Sequence, residues 1–268
     1  MTGATTAAAA GEEERGALDR GDGVRLAWAW VPGAGPTLAF LGGFRSDMEG
    51  SKALHLRDAC AREGRAFLRL DYSGHGASGG RFEDGTIGRW RDDAAAVLDA
   101  LAPGRPLVLV GSSMGGWIAL LLARAWGAER VRAVVGVAAA PDFTEDLVPA
   151  TFDEAHRAAL ARDGVAHLAS AYGEPTPITA ALLEEGRSHL LLRGGPGALG
   201  YGGLVRLLQG LDDPDVPWRH ALRVVEALPP GGDVALTLVK GGDHRLSRPT
   251  DLGLLWRTVR PLLGEDRA

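Results

Sequence analysis

Asparagine is absent from the chain, cysteine occurs once, and lysine occurs twice against 27 arginines. The single cysteine, Cys60, excludes an internal disulfide and a cysteine-rich metal site. The arginine bias looks like the product of a GC-rich genome and carries no mechanism. No cluster of His, Cys, Asp and Glu has metal-site spacing, so neither a metal nor another cofactor is expected. No long apolar run survives inspection either. Residues 26–44 carry no charge, but Pro32, Gly33, Gly35 and Pro36 break them. Residues 106–123 are also uncharged, and Gly111 to Gly116 interrupt them. Neither stretch could cross a bilayer as one helix, so no membrane span is expected. There is no basic stripe for nucleic acid and no acidic tail for a basic partner; the net charge is −5, spread along the chain. Repeats and low-complexity tracts are missing too.

The first residues, MTGATTAAAAGEEERG, lack the basic start and apolar core of a signal peptide. Their Glu run and late first arginine also argue against a mitochondrial transit peptide. A cytoplasmic location is therefore expected. Residues 1–17 read as a disordered tail before one domain at 18–268. Oligomeric state is not legible.

What the chain does have is a regular rhythm. Apolar, strand-like runs occur at 24–31, 37–41, 66–71, 106–110, 131–139, 203–208 and 234–239. Helix-like segments at 51–64, 88–102, 117–129, 218–230 and 251–263 separate most of them. Strands alternating with helices predict βαβ units, hence a mostly parallel central sheet with helices on both faces. Strands covered on both faces are uniformly apolar, as LVLV and AVVGV are. The rhythm breaks at about 142–200, where helical pieces occur without a clear core strand. A small lid insertion is expected there.

One turn carries chemistry. Gly111-Ser112-Ser113-Met114-Gly115 fits G-x-S-x-G, with LVLV before it and WIALLL after it. A strand–turn–helix context is what a nucleophile elbow requires. Glycines at both ends permit the strained turn, and the serine sits where helix N–H groups are free. A second match, Gly76 to Gly80, is not entered from a strand and reads as a loop. The segment Gly195 to Gly200 imitates a dinucleotide fingerprint but contains Pro196 and opens no helix.

A serine nucleophile needs a base, and the base needs an orienting acid. In this chain order the base follows Ser113, near the end of a strand. His156, His167 and His189 fall in the expected lid and His220 within a helix, which leaves His244 in VALTLVKGGDH. The acid is one of Asp212, Asp213 and Asp215 in the loop after 203–208. The oxyanion hole is expected from the backbone N–H groups of Phe44 and Met114. His75 precedes the nucleophile and is expected to brace a loop near the site. Trp117, one turn into the following helix, is expected either to pack in the core or to line an acyl pocket.

The segments FLGGFRSDMEGSKA (40–53), RLDYSGHGASGG (69–80), GRWRDD (88–93), GSSMGGW (111–117), LLQGLDDPDVPW (207–218) and GGDHR (241–245) run in a recognisable order. With them the chain resembles an α/β-hydrolase, and within that superfamily the mitochondrial palmitoyl-protein thioesterase and acyl-glucuronide esterase family. The resemblance implies an α/β-hydrolase fold, a Ser113–His244–Asp213 triad and a small-molecule acyl ester or thioester as substrate. Its pattern Gly-x-x-Asp-x-x-Val-Pro selects Asp213, which Pro214 also restricts to an extended backbone. Two other readings stay open: a carbon–carbon bond hydrolase or perhydrolase on the same fold, and a non-catalytic binder.

Overall fold

The computed structural model describes residues 12–170 and 173–264. Nine elements run from the start to the middle of the chain. They are β1 (Glu14–Asp19), β2 (Arg25–Val31), β3 (Ala34–Leu41), α1 (Ser51–Arg62), β4 (Arg65–Leu70), α2 (Ile87–Leu101), β5 (Leu107–Ser112), α3 (Met114–Arg130) and β6 (Val131–Val137). An excursion follows, with α4 (Phe143–Asp146), α5 (Glu154–Asp163), β7 (Val165–Ser170), β8 (Gly173–Thr179) and α6 (Ala180–Gly186). The chain then returns through β9 (Leu204–Gly210), α7 (Trp218–Ala227), β10 (Val234–Val239) and α8 (Pro249–Val259).

Eight strands form one sheet in the order β1-β2-β4-β3-β5-β6-β9-β10. β1 and β2, and β2 and β4, pair antiparallel; every other neighbouring pair is parallel. Helices α2, α3 and α7 supply one face of the core, around Trp90 and Trp117. Helices α1 and α8 supply the other, where Leu56, Leu255 and Val259 pack with Cys60. Burial pushes the Cys60 thiol up to about 12, so it behaves as a small apolar side chain.

From β3 the chain goes one way to β4 and then back across to β5. The strand order therefore reverses between β3 and β5. Loops leaving two such strands in opposite directions open a crevice at the carboxyl end of the sheet. Here those loops begin at Gly42 and at Ser113.

Two features differ from the sequence-based expectation. The tail expected through residue 17 is too long, because β1 begins at Glu14 and pairs with β2 from Glu14↔Trp30 to Asp19↔Arg25. Its polar ERGALD sequence hides an edge strand, which needs only one apolar face. Residues 1–11 lie outside the described residues. The excursion expected at 142–200 holds more than helical pieces, since β7 and β8 pair as a separate antiparallel hairpin. Pro175 and Pro177 in GEPTPIT mask β8 in the sequence. A two-stranded sheet tolerates them because each strand has a free edge.

Candidate active site

The strand-to-helix turn after β5 holds Ser113 at φ 54°, ψ −118°. A left-handed backbone at a non-glycine residue costs roughly 1–3 kcal/mol and persists only where its surroundings impose it. Here the Ser113 N–H donates to the Val137 carbonyl (2.9 Å), and the Ala140 N–H donates to the Ser113 carbonyl (3.1 Å). The flanking glycines are required by space. A Cβ on Gly111 would stand 2.2 Å from the Gly115 carbonyl oxygen, and one on Gly115 would stand 2.1 Å from that of Leu41. The elbow is thus pressed against the end of β3, as the G-x-S-x-G pattern anticipates.

That close approach brings the Gly42–Phe44 loop beside the serine. A Cβ on Gly43 would lie 3.4 Å from Ser113 Cβ. Neither the Phe44 N–H nor the Met114 N–H has a hydrogen-bond partner among the described residues. Both residues line the same cavity as Ser113.

His244 stands in the loop after β10. Its Nδ1–H donates to Asp213 Oδ2 at 2.9 Å. Asp213 is buried, and its other oxygen accepts from the Asp215 and Val216 N–H groups, each at 2.9 Å. Gln209 Nε2 also donates to Oδ2, at 2.9 Å. Burial opposes ionisation of Asp213, but the hydrogen bond and charge of His244 and the two backbone donors outweigh it and hold the carboxyl below its usual range. The two loops meet because of Gly210, where a Cβ would fall 2.2 Å from the Gly242 carbonyl oxygen. Asp213, Asp215 and His244 could together offer ligand atoms to a metal ion. However, the oxygens of Asp213 already accept from His244 and from backbone N–H donors, so this trio is an acid–imidazole pair and fits a metal poorly.

The cavity measures about 870 Å³ and is lined by both Ser113 and His244. No hydrogen bond joins these two among the described residues. One wall is apolar, with Phe44, Phe143, Leu147, Val148, Leu168 and Ile178. The lining also includes polar side chains, among them Ser46, Asp47, Lys52 and Arg245. Burial lowers the Lys52 ammonium to about 8, and its Nζ donates to the Arg245 carbonyl at 2.5 Å. Trp117 takes the packing role of the two expected for it and does not line the cavity, which corrects the acyl-pocket alternative. It is fully buried, donates Nε1–H to the His189 carbonyl (3.1 Å) and packs edge-on against Phe143. Phe143 takes the place at the wall.

Of the side chains that hold the Gly42–Glu49 loop, sequence reasoning anticipated His75 and missed the others. The end of β4 and the turn after it, RLDYSGH (69–75), supply four side chains that bind its backbone. Arg69 donates to the Met48 carbonyl (2.6 Å) and ion-pairs with Glu13 and Glu49. Asp71 accepts from the Met48 N–H (2.7 Å), and the Tyr72 hydroxyl donates to the Gly42 carbonyl (3.2 Å). His75 Nε2 accepts from the Arg45 N–H (3.2 Å). The signal was present: Arg69 is a charge inside the apolar run AFLRL, and a fully buried arginine must be paired. The second G-x-S-x-G match is structural, since Ser78 Oγ accepts from the Ala27 N–H and donates to the Asp71 carbonyl.

A reversed-order parallel sheet, a strained serine at the switch point and an acid-paired histidine lining the same cavity define the class: an α/β-hydrolase. The serine aminopeptidase S33 family profile matches residues 40–170. The chain is 36% identical to the mitochondrial palmitoyl-protein thioesterase ABHD10 of Mus musculus, over 92% of this chain and 81% of that protein. Among solved structures, a putative hydrolase from Agrobacterium vitis S4 superposes with a TM-score of 0.86 at 43% identity, covering 94% of this chain and 99% of that one. The mouse α/β hydrolase domain-containing protein 10 superposes at 0.82 with 34% identity, covering 93% and 98%. The chain belongs to this palmitoyl-protein thioesterase family of α/β-hydrolase enzymes. The expected cytoplasmic location does not stand, because these curated relatives are mitochondrial proteins.

Proposed function

We propose that the chain hydrolyses carboxylic esters or acyl thioesters through an acyl-enzyme on Ser113. The observation that carries this reading is the shared cavity: a strained serine at the start of α3 lines it together with an imidazole whose far nitrogen is fixed by a buried carboxylate. Nδ1–H bound to Asp213 leaves Nε2 as the basic nitrogen. Nε2 takes the Ser113 proton as Oγ attacks the acyl carbon, then returns it to the leaving alcohol or thiol. Asp213 keeps the imidazole in that tautomer and stabilises its cation. The two unpartnered N–H groups, of Phe44 and Met114, receive the oxyanion; each such donor contributes about 10²–10³ in kcat. Water, activated by His244, clears the acyl-enzyme.

The lack of a direct Ser113–His244 hydrogen bond is compatible with this, since catalytic hydrogen bonds commonly tighten only when substrate binds. The apolar wall suits the acyl group, consistent with relatives named as palmitoyl-protein thioesterases. The hairpin β7–β8 contributes Leu168 and Ile178 to that wall, so the excursion between β6 and β9 acts as a lid over it.

The test is a fluorophosphonate probe followed by a panel of acyl esters and thioesters of graded chain length. Labelling at Ser113 with turnover of the panel is expected. Labelling at Ser112, or none, would refute the reading.

A further inference from the structure

We propose that His75, which lies outside the three residues assigned to chemistry, is a positioning residue that holds the Phe44 N–H in the oxyanion hole; this rests on the hydrolase reading above. The peptide following Phe44 is the unusual one. Arg45 sits at φ 56° without being glycine. Left-handed backbone is disfavoured at a residue with a Cβ, so the loop keeps this conformation only where something fixes it. The Arg45 N–H belongs to that peptide, and it donates to His75 Nε2. On the other side of Phe44, the Ser46 N–H closes a turn onto the Gly43 carbonyl (3.1 Å) and Tyr72 holds the Gly42 carbonyl. Phe44 is thus clamped from both flanks while its own N–H stays unpartnered. His75 supplies the clamp on the Arg45 side.

The clamp requires a neutral imidazole of one tautomer. Nδ1–H donates to the Ser73 carbonyl at 3.2 Å, which leaves the Nε2 lone pair for Arg45. Ser73 is fixed in turn: its N–H and hydroxyl both donate to Asp93 Oδ2 (2.8 and 2.6 Å), and Arg20 pairs with Asp93 Oδ1 at 2.6 Å. Trp90 Nε1–H donates to the same Ser73 carbonyl at 3.0 Å. The ring is boxed edge-on by Tyr72, Phe82 and Trp90, at centroid distances of 5.1–5.5 Å. An ionic anchor at Arg20–Asp93 is therefore transmitted through Ser73 and His75 to the loop carrying the oxyanion donor. Burial supports the neutral state, lowering the His75 imidazole to about 4. The charged groups facing it are Asp93, which favours the cation, and Arg45, which opposes it.

The experiment compares His75→Leu, which fills space without an acceptor, with His75→Gln, whose Oε1 can accept near the Nε2 position. A displaced oxyanion donor weakens the transition state and not the ground state, so His75→Leu should lower kcat by about tenfold or more with KM within about threefold. A boronic acid inhibitor, which resembles the tetrahedral intermediate, should lose affinity in parallel with kcat/KM. His75→Gln should recover most of kcat. An unchanged kcat in His75→Leu, a loss confined to KM, or a Gln variant no better than Leu overturns the proposal. If the Leu variant does not fold, ¹⁵N NMR of the parent decides: Nε2 must be unprotonated and Nδ1 protonated at pH 7, and the opposite tautomer overturns it. Fluorophosphonate labelling of the parent separates the two claims. A parent unlabelled at Ser113 removes the hydrolase reading and this proposal with it; a labelled, active parent indifferent to His75→Leu removes this proposal alone.

Discussion

Three aspartates crowd the loop after β9, and their surroundings are not alike. Asp212 and Asp215 are exposed, while Asp213 is buried beneath His244 with both oxygens engaged. Asp213→Asn would place an amide against Nδ1–H and favour the wrong imidazole tautomer. We expect about a 10⁴-fold loss in kcat, the size of loss such a change causes in a serine protease triad. Asp212→Asn and Asp215→Asn should stay within roughly tenfold, as exposed substitutions do. Steady-state kinetics on the three single variants, with melting curves as the folding control, will read this out. His75 carries a separate expectation for stability. The unfolded imidazole takes up a proton near pH 6.5, whereas the folded one stays neutral until about 4. Acid therefore favours the unfolded chain across that window, and stability falls by ~3 kcal/mol as pH drops through it. His75→Gln should flatten this part of the pH dependence of Tm. His55 and His220, also lowered chiefly by burial, leave a residual slope of the same sign.

At the scale of elements, the elbow shows how a pattern becomes geometry. Gly115 permits no side chain because a Cβ would overlap the Leu41 and Gly42 carbonyl oxygens, at 2.1 and 2.5 Å. Those are backbone atoms of β3 and of the loop bearing Phe44, so relief requires the loop to move. Gly115→Ala is expected to cost at least ~1–3 kcal/mol, as overpacking does, and to displace the proposed oxyanion donor, the Phe44 N–H. Activity should consequently fall further than the folded fraction does, which parallel melting and kinetics will distinguish. Gly64→Ala is a useful contrast: nothing stands within 4 Å of that Cβ, and only its φ of 65° is at stake. Elements with one clear period were legible in the sequence. LVLVGS is buried throughout, and VALTLV forms β10 at the expected 234–239. The edges were not legible. ERGALD is half polar because no residue of this edge strand is fully buried, and GEPTPIT looks like a loop because of its prolines. In the candidate site, chain order and strand ends pointed to Ser113 and His244, which line one cavity. The Arg69–Asp71–Tyr72 support was missed because it consists of long-range side-chain contacts to backbone, which no local period encodes.

At the scale of the whole molecule, the first described residues reach the active-site loop through one buried cation. Arg69 has no solvent exposure; it forks onto Glu13 at 2.8 and 3.0 Å and pairs with Glu49 at 2.7 Å. Glu49 also pairs with Arg15, so β1, β4 and the Gly42–Glu49 loop share one ionic cluster. β1 shields the sheet as well: Gly16 pairs with Trp28, and the Trp28 ring would lie only 2.3 Å from a Cβ on Gly16, so the indole covers the glycine. A chain starting at residue 20 loses the strand and one of the two carboxylates paired with Arg69, and it bares the Trp28 ring. It also leaves β2 as an unprotected edge, a template for pairing with other chains. We expect that truncation to cost about 3–5 kcal/mol, from one large apolar surface and a broken buried ion pair, and to promote association. Glu13→Ala, which keeps β1, should cost a smaller ~1–3 kcal/mol. It should also lower kcat more than it raises KM, because the loop that carries Phe44 loses part of its anchor. Thermal melting, light scattering and kinetics on the two variants test this together. A truncated chain with the stability and association state of the parent would show that β1 is dispensable, and a Glu13→Ala variant with unchanged kcat would show that the ionic cluster does not reach the site.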